Sequence, residues 1–290
     1  MSRLIKKVAA IHDLSGFGRA SLTTIIPILS TMGVQVCPLP TAVLSTHTGG
    51  FQEFSFMDLT NYMKEHINHW KKLNLEFDCI YSGFLGSPEQ AKIVEDFIDY
   101  FGKKTEFVVV DPVMGDNGKL YGTMTKEMIT EMEKLIQKAD IITPNFTEVA
   151  YLLGKPYNIN ISFDEIKEYL KELSKKGPKI VITTSIPDNI NLDLITTLAY
   201  NKEEDVFWKI SSEKIPVSYP GTGDIYASVL IGNILHGNSL PVSMERATTF
   251  VSHCIMNSYG FKYPHREGVM LETSLNILNI PTVISKYEKI

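Results

Sequence analysis

Short apolar runs rich in valine and isoleucine recur along the chain: "VAAI" at 8–11, "VQVCPL" at 34–39, "CIYSGFL" at 79–85, "FVVVDP" at 107–112, "DIITPN" at 140–145 and "KIVITT" at 179–184. Continuous apolar runs of this length, ended by turn formers, read as strands covered on both faces. Between most of them the apolar residues take helical spacing instead. From Glu89 to Tyr100, Ile93, Val94, Phe97 and Ile98 fall on one face with Phe101, and Met128, Ile129, Met132, Leu135 and Ile136 do the same between Lys126 and Gln137. Gly33, Gly102 and Gly154 stand where helix C-caps are expected. This alternation predicts an α/β fold with a mostly parallel central sheet and helices on both faces.

Two stretches break the rhythm. Residues 45–56, "STHTGGFQEFSF", and 113–124, "VMGDNGKLYGTM", read as glycine-containing loops longer than ordinary strand–helix connections, which makes them candidates for a flap or binding loop. Residues 192–211 alternate like an antiparallel pair, with Asn201 to Asp205 as its turn. There is no internal repeat, low-complexity tract or Pro/Ser-rich linker, so one domain spanning 1–290 is expected. At 44% hydrophobic residues it can bury a sizeable core. A net charge of −5 with mixed signs offers no basic stripe for nucleic acid or an anionic membrane, so the expected partners are small molecules. Cys37, Cys79 and Cys254 are far apart and lie in apolar stretches, which reads as three buried thiols of a reducing compartment. With no run of 18 apolar residues and no secretory pattern at residues 1–11, the expected location is the cytoplasm.

In an open parallel sheet, ligands gather beyond the carboxyl ends of the strands. The polar residues to inspect there are His12, Asp13, Ser82, Asp111, Asn145, Thr183, Thr184, Ser185 and the run Gly221-Thr222-Gly223-Asp224. Both glycines of that run can adopt φ > 0 and turn backbone N–H groups into one concavity, and the apolar helix that follows adds its positive end. A carboxylate at the edge of such an anion hole can take a proton from a hydroxyl attacking phosphorus. A plain capped helix would need one glycine and would leave Asp224 as its cap. Ala227, Ser228 and Gly232 would let this helix pack close to the sheet. There is no Walker lysine motif, so a nucleotide phosphate would be held without one.

Asp111 and Asp116 in "DPVMGDNG" are oxygen donors of the kind magnesium takes, although Asp, Pro, Asn and Gly also populate ordinary turns. Asn145 and Glu148 fit a capping box, a role compatible with contact to a metal-bound water. Thr46, His47 and Thr48, ahead of Gly49-Gly50, would suit a loop over a flat heteroaromatic ring, or a plain polar loop. Gly16 and Gly18 flank Phe17, but residue 21 is serine where a dinucleotide fingerprint has its third glycine. His66 and His69 share a helical face rich in lysine and read as solvated; His236 reads as a helix C-terminal histidine.

The order of these motifs is more specific than any one of them. H-T-G at 47–49, S-G-x-x-G at 82–86, D-P-V-M-G-D at 111–116, T-P-N-x-x-E at 143–148, I-T-T-S at 182–185 and G-T-G-D at 221–224 together resemble the pyridoxal kinases of the ribokinase-like superfamily, from residue 8 to about 260. The resemblance implies a three-layer α/β/α fold with a small flap and no separate lid domain. It implies an ATP-dependent kinase acting on the 5′-hydroxymethyl group of vitamin B6 compounds. In it Asp224 would be the base and the amides of Gly221, Thr222 and Gly223 the anion hole. Asp111, Asn145, Tyr121, Thr183, Thr184, Ser185 and Thr222 would meet ATP, and Asp116 and Glu148 would organise Mg2+, with a monovalent cation such as K+ as a further candidate. Asp13, Ser15, His47, Thr48 and Phe84 would meet the vitamer, and the enzyme would be a homodimer.

The chain also departs from that family. It reads His12-Asp13 where many members carry serine followed by histidine, Thr46 where asparagine precedes H-T, Phe84 for a tyrosine and Leu44 for a phenylalanine. An aspartate facing the ring would favour a protonated ring nitrogen or a cationic amine. The alternatives carried forward are a hydroxymethylpyrimidine kinase of the same superfamily, whose members often carry cysteine where Asp224 stands, and a non-catalytic B6-binding protein.

Overall fold

The computed structural model describes residues 4–122, 124–187, 193–280 and 286–290; Met1 to Arg3, Thr123 of the 113–124 stretch and Leu192 of the antiparallel stretch lie outside the described residues. In chain order the elements are β1 (Lys7–Ser15), α1 (Leu22–Thr31), β2 (Gln35–Leu44), β3 (Phe56–Asp58), α2 (Thr60–Lys72), β4 (Cys79–Ser82), α3 (Pro88–Phe101), β5 (Phe107–Val110), β6 (Gly115–Asp116), β7 (Lys119–Leu120), α4 (Lys126–Leu135), β8 (Ile141–Ile142), α5 (Phe146–Leu152), α6 (Phe163–Lys175), β9 (Ile180–Pro187), β10 (Leu194–Asn201), β11 (Val206–Glu213), α7 (Thr222–Leu235), α8 (Leu240–Tyr259) and β12 (Tyr287–Lys289). Two compact units emerge, Met1–Asp78 with Ile215–Ser285, and Cys79–Lys214 with Lys286–Ile290.

In the first unit β1 runs parallel to β2, and β3 adds antiparallel to the end of β2. Val8, Ala9, Ala10 and Ile11 are each fully buried. Because successive strand residues point to opposite faces, that run requires cover on both sides of β1. The β1–β2 register slips between His12 and Leu14, so Asp13 sits at an irregularity of the kind that re-aims side chains. Helix α7 lies against α1 and α8. A Cβ on Gly232 would meet the Met32 side chain at 2.5 Å, so the small residue admits the neighbouring helical segment rather than the sheet expected from sequence.

In the second unit β4, β5, β8 and β9 pair in parallel, and β9 to β12 continue antiparallel. "FVVV" of β5 and "CIYS" of β4 are buried throughout, the signature of strands covered on both faces. The β10–β11 hairpin falls where alternation placed it. The stretch 113–124 contains structure that its sequence was not expected to hold. β6 and β7 close a small hairpin through Asn117 and Gly118, both left-handed at φ 50 and 76, as a two-residue turn of that sequence favours.

Several local expectations need correction. Gly33 and Gly154 end their helices in the left-handed region, but Gly102 keeps φ −62 and the chain runs on into a short 3-10 turn. Cys79 and Cys254 are buried, whereas Cys37 is only half-buried. Among the described residues no helix is long and apolar enough to cross a membrane.

The face predicted for the 89–100 segment is the one α3 buries, with Ile93, Val94, Phe97, Ile98 and Phe101 inside and the Ser87 hydroxyl capping Gln90 N–H at 3.3 Å. Phe97 is fully buried and stacks on Phe101 with centroids 4.5 Å apart. Phe97→Ala is therefore expected to lower the unfolding free energy by about 3–5 kcal/mol in chemical denaturation; a loss below about 1 kcal/mol would show that α3 does not pack as described.

Candidate active site

In the first unit the run at 221–224 opens α7. Gly221 is its N-cap at φ 81, and a Cβ there would come within 2.1 Å of the Arg19 carbonyl oxygen, so both conformation and space require glycine. Gly223 is not among the left-handed residues, which corrects the expectation of two such glycines. Thr222, Gly223 and Asp224 make the first turn, whose N–H groups have no acceptor within the helix. Thr222 donates its hydroxyl to the Tyr219 carbonyl at 3.2 Å.

Asp224 is not the cap. Its Oδ2 accepts the backbone N–H of Ser21 at 2.8 Å, and its side chain retains 14% of its surface. Burial pushes this carboxyl up to about 7; the Ser21 N–H works against that shift, and the charge of Asp13 adds to it. His12 Nδ1 lies 3.8 Å from Asp224 Oδ1, but burial pushes this imidazole down to about 3, so it is neutral and the contact is not an ion pair.

Asp13 is buried, with Oδ1 accepting the Ser21 hydroxyl at 2.5 Å and Oδ2 the Ser15 hydroxyl at 2.8 Å. His47 is buried and held at both ring nitrogens. Gly49 N–H donates to Nδ1 at 3.0 Å, which leaves Nε2 to donate to the Arg266 carbonyl at 2.7 Å, and Phe51 meets the ring edge-on. Burial lowers its pKa, so the neutral tautomer is favoured. Thr48 is exposed, and Leu44 is buried at the end of β2.

In the second unit Asp111 follows β5 directly and is buried. Asn145 caps α5 in a reciprocal box with Glu148: Asn145 Oδ1 accepts Glu148 N–H at 3.0 Å, and Glu148 Oε2 accepts Asn145 N–H at 2.8 Å. Asn145 Nδ2 also donates to the Gly115 carbonyl at 2.8 Å, and Met114 N–H donates to Glu148 Oε1 at 3.0 Å, so the small hairpin and α5 hold one another. Thr147, which sequence reasoning passed over, accepts the Gly118 N–H at 2.9 Å in the same lock. Thr183 is buried and donates to the Pro144 carbonyl at 2.8 Å; Thr184 bridges to Asn145, and Ser185 is exposed with φ 59. Phe84 is half-buried, and Tyr121 is 41% exposed.

Glu148 is held well above the usual carboxylate range, first by burial and then by the charge of Asp111. A buried carboxyl raised by a neighbouring carboxylate is stabilised by a cation, and the oxygen chemistry of Asp111 and Glu148 fits magnesium, which takes one or two carboxylates and keeps several waters. Asp116 is set apart: it is exposed, and its oxygens accept the Asn117 N–H at 2.8 Å and the Asn117 side-chain amide at 3.0 Å. Among the described residues no group of three or more His, Cys, Asp or Glu side chains gathers as a metal site.

A strand-end carboxylate, a glycine-capped helix bearing a half-buried aspartate and an α/β frame are the equipment of a small-molecule kinase. The sequence profile described as phosphomethylpyrimidine kinase matches residues 19–269, and the chain belongs to this family. It is 50% identical to a Bacteroides thetaiotaomicron protein assigned as a phosphomethylpyrimidine kinase and crystallised with pyridoxal, over 99% of this chain and 100% of that one, at a TM-score of 0.95. Pyridoxal kinase from Lactobacillus plantarum is 29% identical over 95% of this chain and 97% of its own, at a TM-score of 0.87. Pyridoxal kinase of Arabidopsis thaliana is 29% identical over 244 residues, 81% of this chain and 75% of that protein.

The carboxyl of Asp224 makes a stability prediction whose sign follows from its raised pKa. From its ordinary value of 3.8 up to about 7, the folded state keeps a proton that the unfolded chain releases. This contribution is therefore complete below about pH 4 and lost as pH rises through 7. Asp224→Asn, which cannot ionise, should gain on the parent over that window and exceed it by roughly 1–3 kcal/mol at pH 8. Denaturant unfolding at pH 4 and pH 8 checks this, and a gap that does not change with pH would contradict the raised carboxyl.

Proposed function

We propose that the chain is an ATP-dependent kinase that phosphorylates the 5′-hydroxymethyl group of vitamin B6 compounds. The relatives named pyridoxal kinase, aligned over most of this chain, and the half-identical structure crystallised with pyridoxal support that acceptor. The observation that carries the reading is Asp224: a carboxylate at the head of a glycine-capped helix, with a proton affinity near neutrality, is suited to accept a proton at physiological pH. The hydroxyl oxygen attacks the γ-phosphorus, the bond from phosphorus to the ADP oxygen breaks, and the hydroxyl proton passes to Asp224. The free N–H groups of Thr222 and Gly223 suit the charge that develops on the transferring phosphoryl oxygens.

The second unit serves the nucleotide. Asp111 and Glu148 are the pair that would hold magnesium, which when bound supplies positive charge to phosphate oxygens. The Asn145 and Met114 N–H groups keep Glu148 in place. Thr183, Thr184 and Ser185, within β9, suit phosphate or ribose, and Tyr121 suits a loop over the nucleotide. The reading includes a single kinase domain working as a cytoplasmic homodimer, as the family resemblance implies.

Pyridoxal, pyridoxine, pyridoxamine and hydroxymethylpyrimidine, each offered with ATP and Mg2+, decide the acceptor. Phosphorylation of a B6 vitamer is expected; turnover of the pyrimidine alone would transfer the reading to that substrate, and no ATP consumption with any of the four would favour a binding protein. With the preferred vitamer, Asp224→Asn should lower kcat by roughly 10²- to 10⁴-fold and leave ATP binding near that of the parent. Turnover at the parent rate would remove Asp224 from the role of base.

A further inference from the structure

Ser21 joins the buried carboxyl of Asp13 to the half-buried carboxyl of Asp224. Its hydroxyl donates to Asp13 Oδ1 at 2.5 Å while its backbone N–H donates to Asp224 Oδ2 at 2.8 Å. To do both it adopts φ 51 and ψ −134, a backbone conformation costly for any residue with a side chain and sustained only when surrounding contacts over-determine it. The segment leading to it is fixed at the other end. Arg19 N–H donates to the Glu267 carbonyl at 3.1 Å, and its guanidinium engages Glu272 at 2.9 Å and the Tyr263 hydroxyl. Gly221 and Gly268 both pack too closely on Arg19 to carry side chains. Ser21 itself is held at its carbonyl by the first turn of α1, through Thr24 N–H and Ile25 N–H at 3.0 Å and the Thr24 hydroxyl at 2.9 Å, and at its hydroxyl by Asp13, which the register slip in β1 and the Ser15 hydroxyl aim at it.

We propose that Asp13 is a positioning residue for the base: it anchors the Ser21 hydroxyl and thereby fixes the strained backbone N–H that holds Asp224 in place for proton transfer. This rests on the reading of Asp224 as the base. The ionisable groups around the pair are few. His12 of β1 faces Asp224 and is neutral, Asp13 of the same strand adds its charge, and His47 from the 45–51 loop faces Asp13. Arg19 is turned to Glu272 and Tyr263.

Two substitutions should move Asp224 in opposite directions. Asp13→Asn keeps an acceptor for the Ser21 hydroxyl but removes a like charge, so Asp224 should give up its proton at lower pH. Ser21→Ala keeps the amide but loses the anchor, so the N–H relaxes away from Asp224 and the carboxyl should hold its proton to higher pH. The direct measurement is NMR titration of the unliganded protein labelled with 13C-carboxyl aspartate, with Asp224→Asn identifying the resonance. Each shift should approach about one pH unit, or about tenfold in proton affinity. In the kinase assay the acid limb of kcat should follow these shifts, and Ser21→Ala should lose roughly 10- to 100-fold in kcat with KM for ATP near the parent value.

An Asp224 titration unchanged in both variants, or moved the same way by both, overturns the proposal. If Asp13→Asn does not fold, as judged by thermal unfolding, Ser21→Ala alone carries the test, and an unmoved resonance there overturns it. The two readings also fail separately. A parent that phosphorylates no vitamer while the resonance shifts as expected refutes the substrate and leaves the coupling intact, whereas an active parent with unmoved resonances refutes the coupling alone.

Discussion

A backbone amide and a carboxylate 203 residues apart meet at 2.8 Å, and the contact joins the start of α1 to the start of α7. A carboxylate taken from water needs donors to remain there, and Asp224 receives one from Ser21. Bringing Ser21 so close requires the 19–21 segment to lie against the start of α7, which in turn requires that residue 221 have no Cβ. One donor does not offset the loss of solvent. The carboxyl therefore keeps a high proton affinity, and a group under tension in the resting protein is fitted to accept a proton during reaction. The position at the positive end of α7 acts in the opposite sense.

The second unit solves a related problem differently. Glu148 accepts one backbone N–H from Met114, beside the β6–β7 hairpin, and one from its own helix cap Asn145, and its remaining acceptor capacity lies beside the charge of Asp111. The capping box and the cation-seeking pair are one structure: the N–H donors orient Glu148, and burial beside Asp111 gives it a reason to want positive charge. Asp116, five residues further along and apparently equivalent in sequence, spends its oxygens on the adjacent Asn117 at the exposed tip.

The elements were legible where periodicity was strong. The α3 face, the valine-rich β5, the β10–β11 pair and the Asn145–Glu148 box all follow from local rules, because each depends on residues within a few positions of one another. What local rules missed depends on distance in sequence. Composition does not say which neighbour a small residue such as Gly232 admits, and it is Met32 that occupies the space. Ser21 drew notice only as a missing glycine, since its partners Asp13 and Asp224 arrive from a strand bulge and a helix far along the chain. His47 was read as a ring-binding imidazole, but a pattern of residue types cannot disclose that Gly49 and Arg266 engage both of its nitrogens. The order of motifs from residue 8 to about 260 carries the functional reading because six motifs in sequence constrain a fold far more than any four-residue match.

The central claim is that Asp224 receives the proton of a B6 hydroxyl. A crystal structure of the protein with Mg2+, a non-hydrolysable ATP analogue and pyridoxal tests it most directly. The account predicts the 5′-oxygen within about 2.6–3.2 Å of an Asp224 carboxylate oxygen, with the Ser21 N–H still on the other. A ring bound so that its 5′-oxygen meets some other group, with Asp224 facing away, would contradict it.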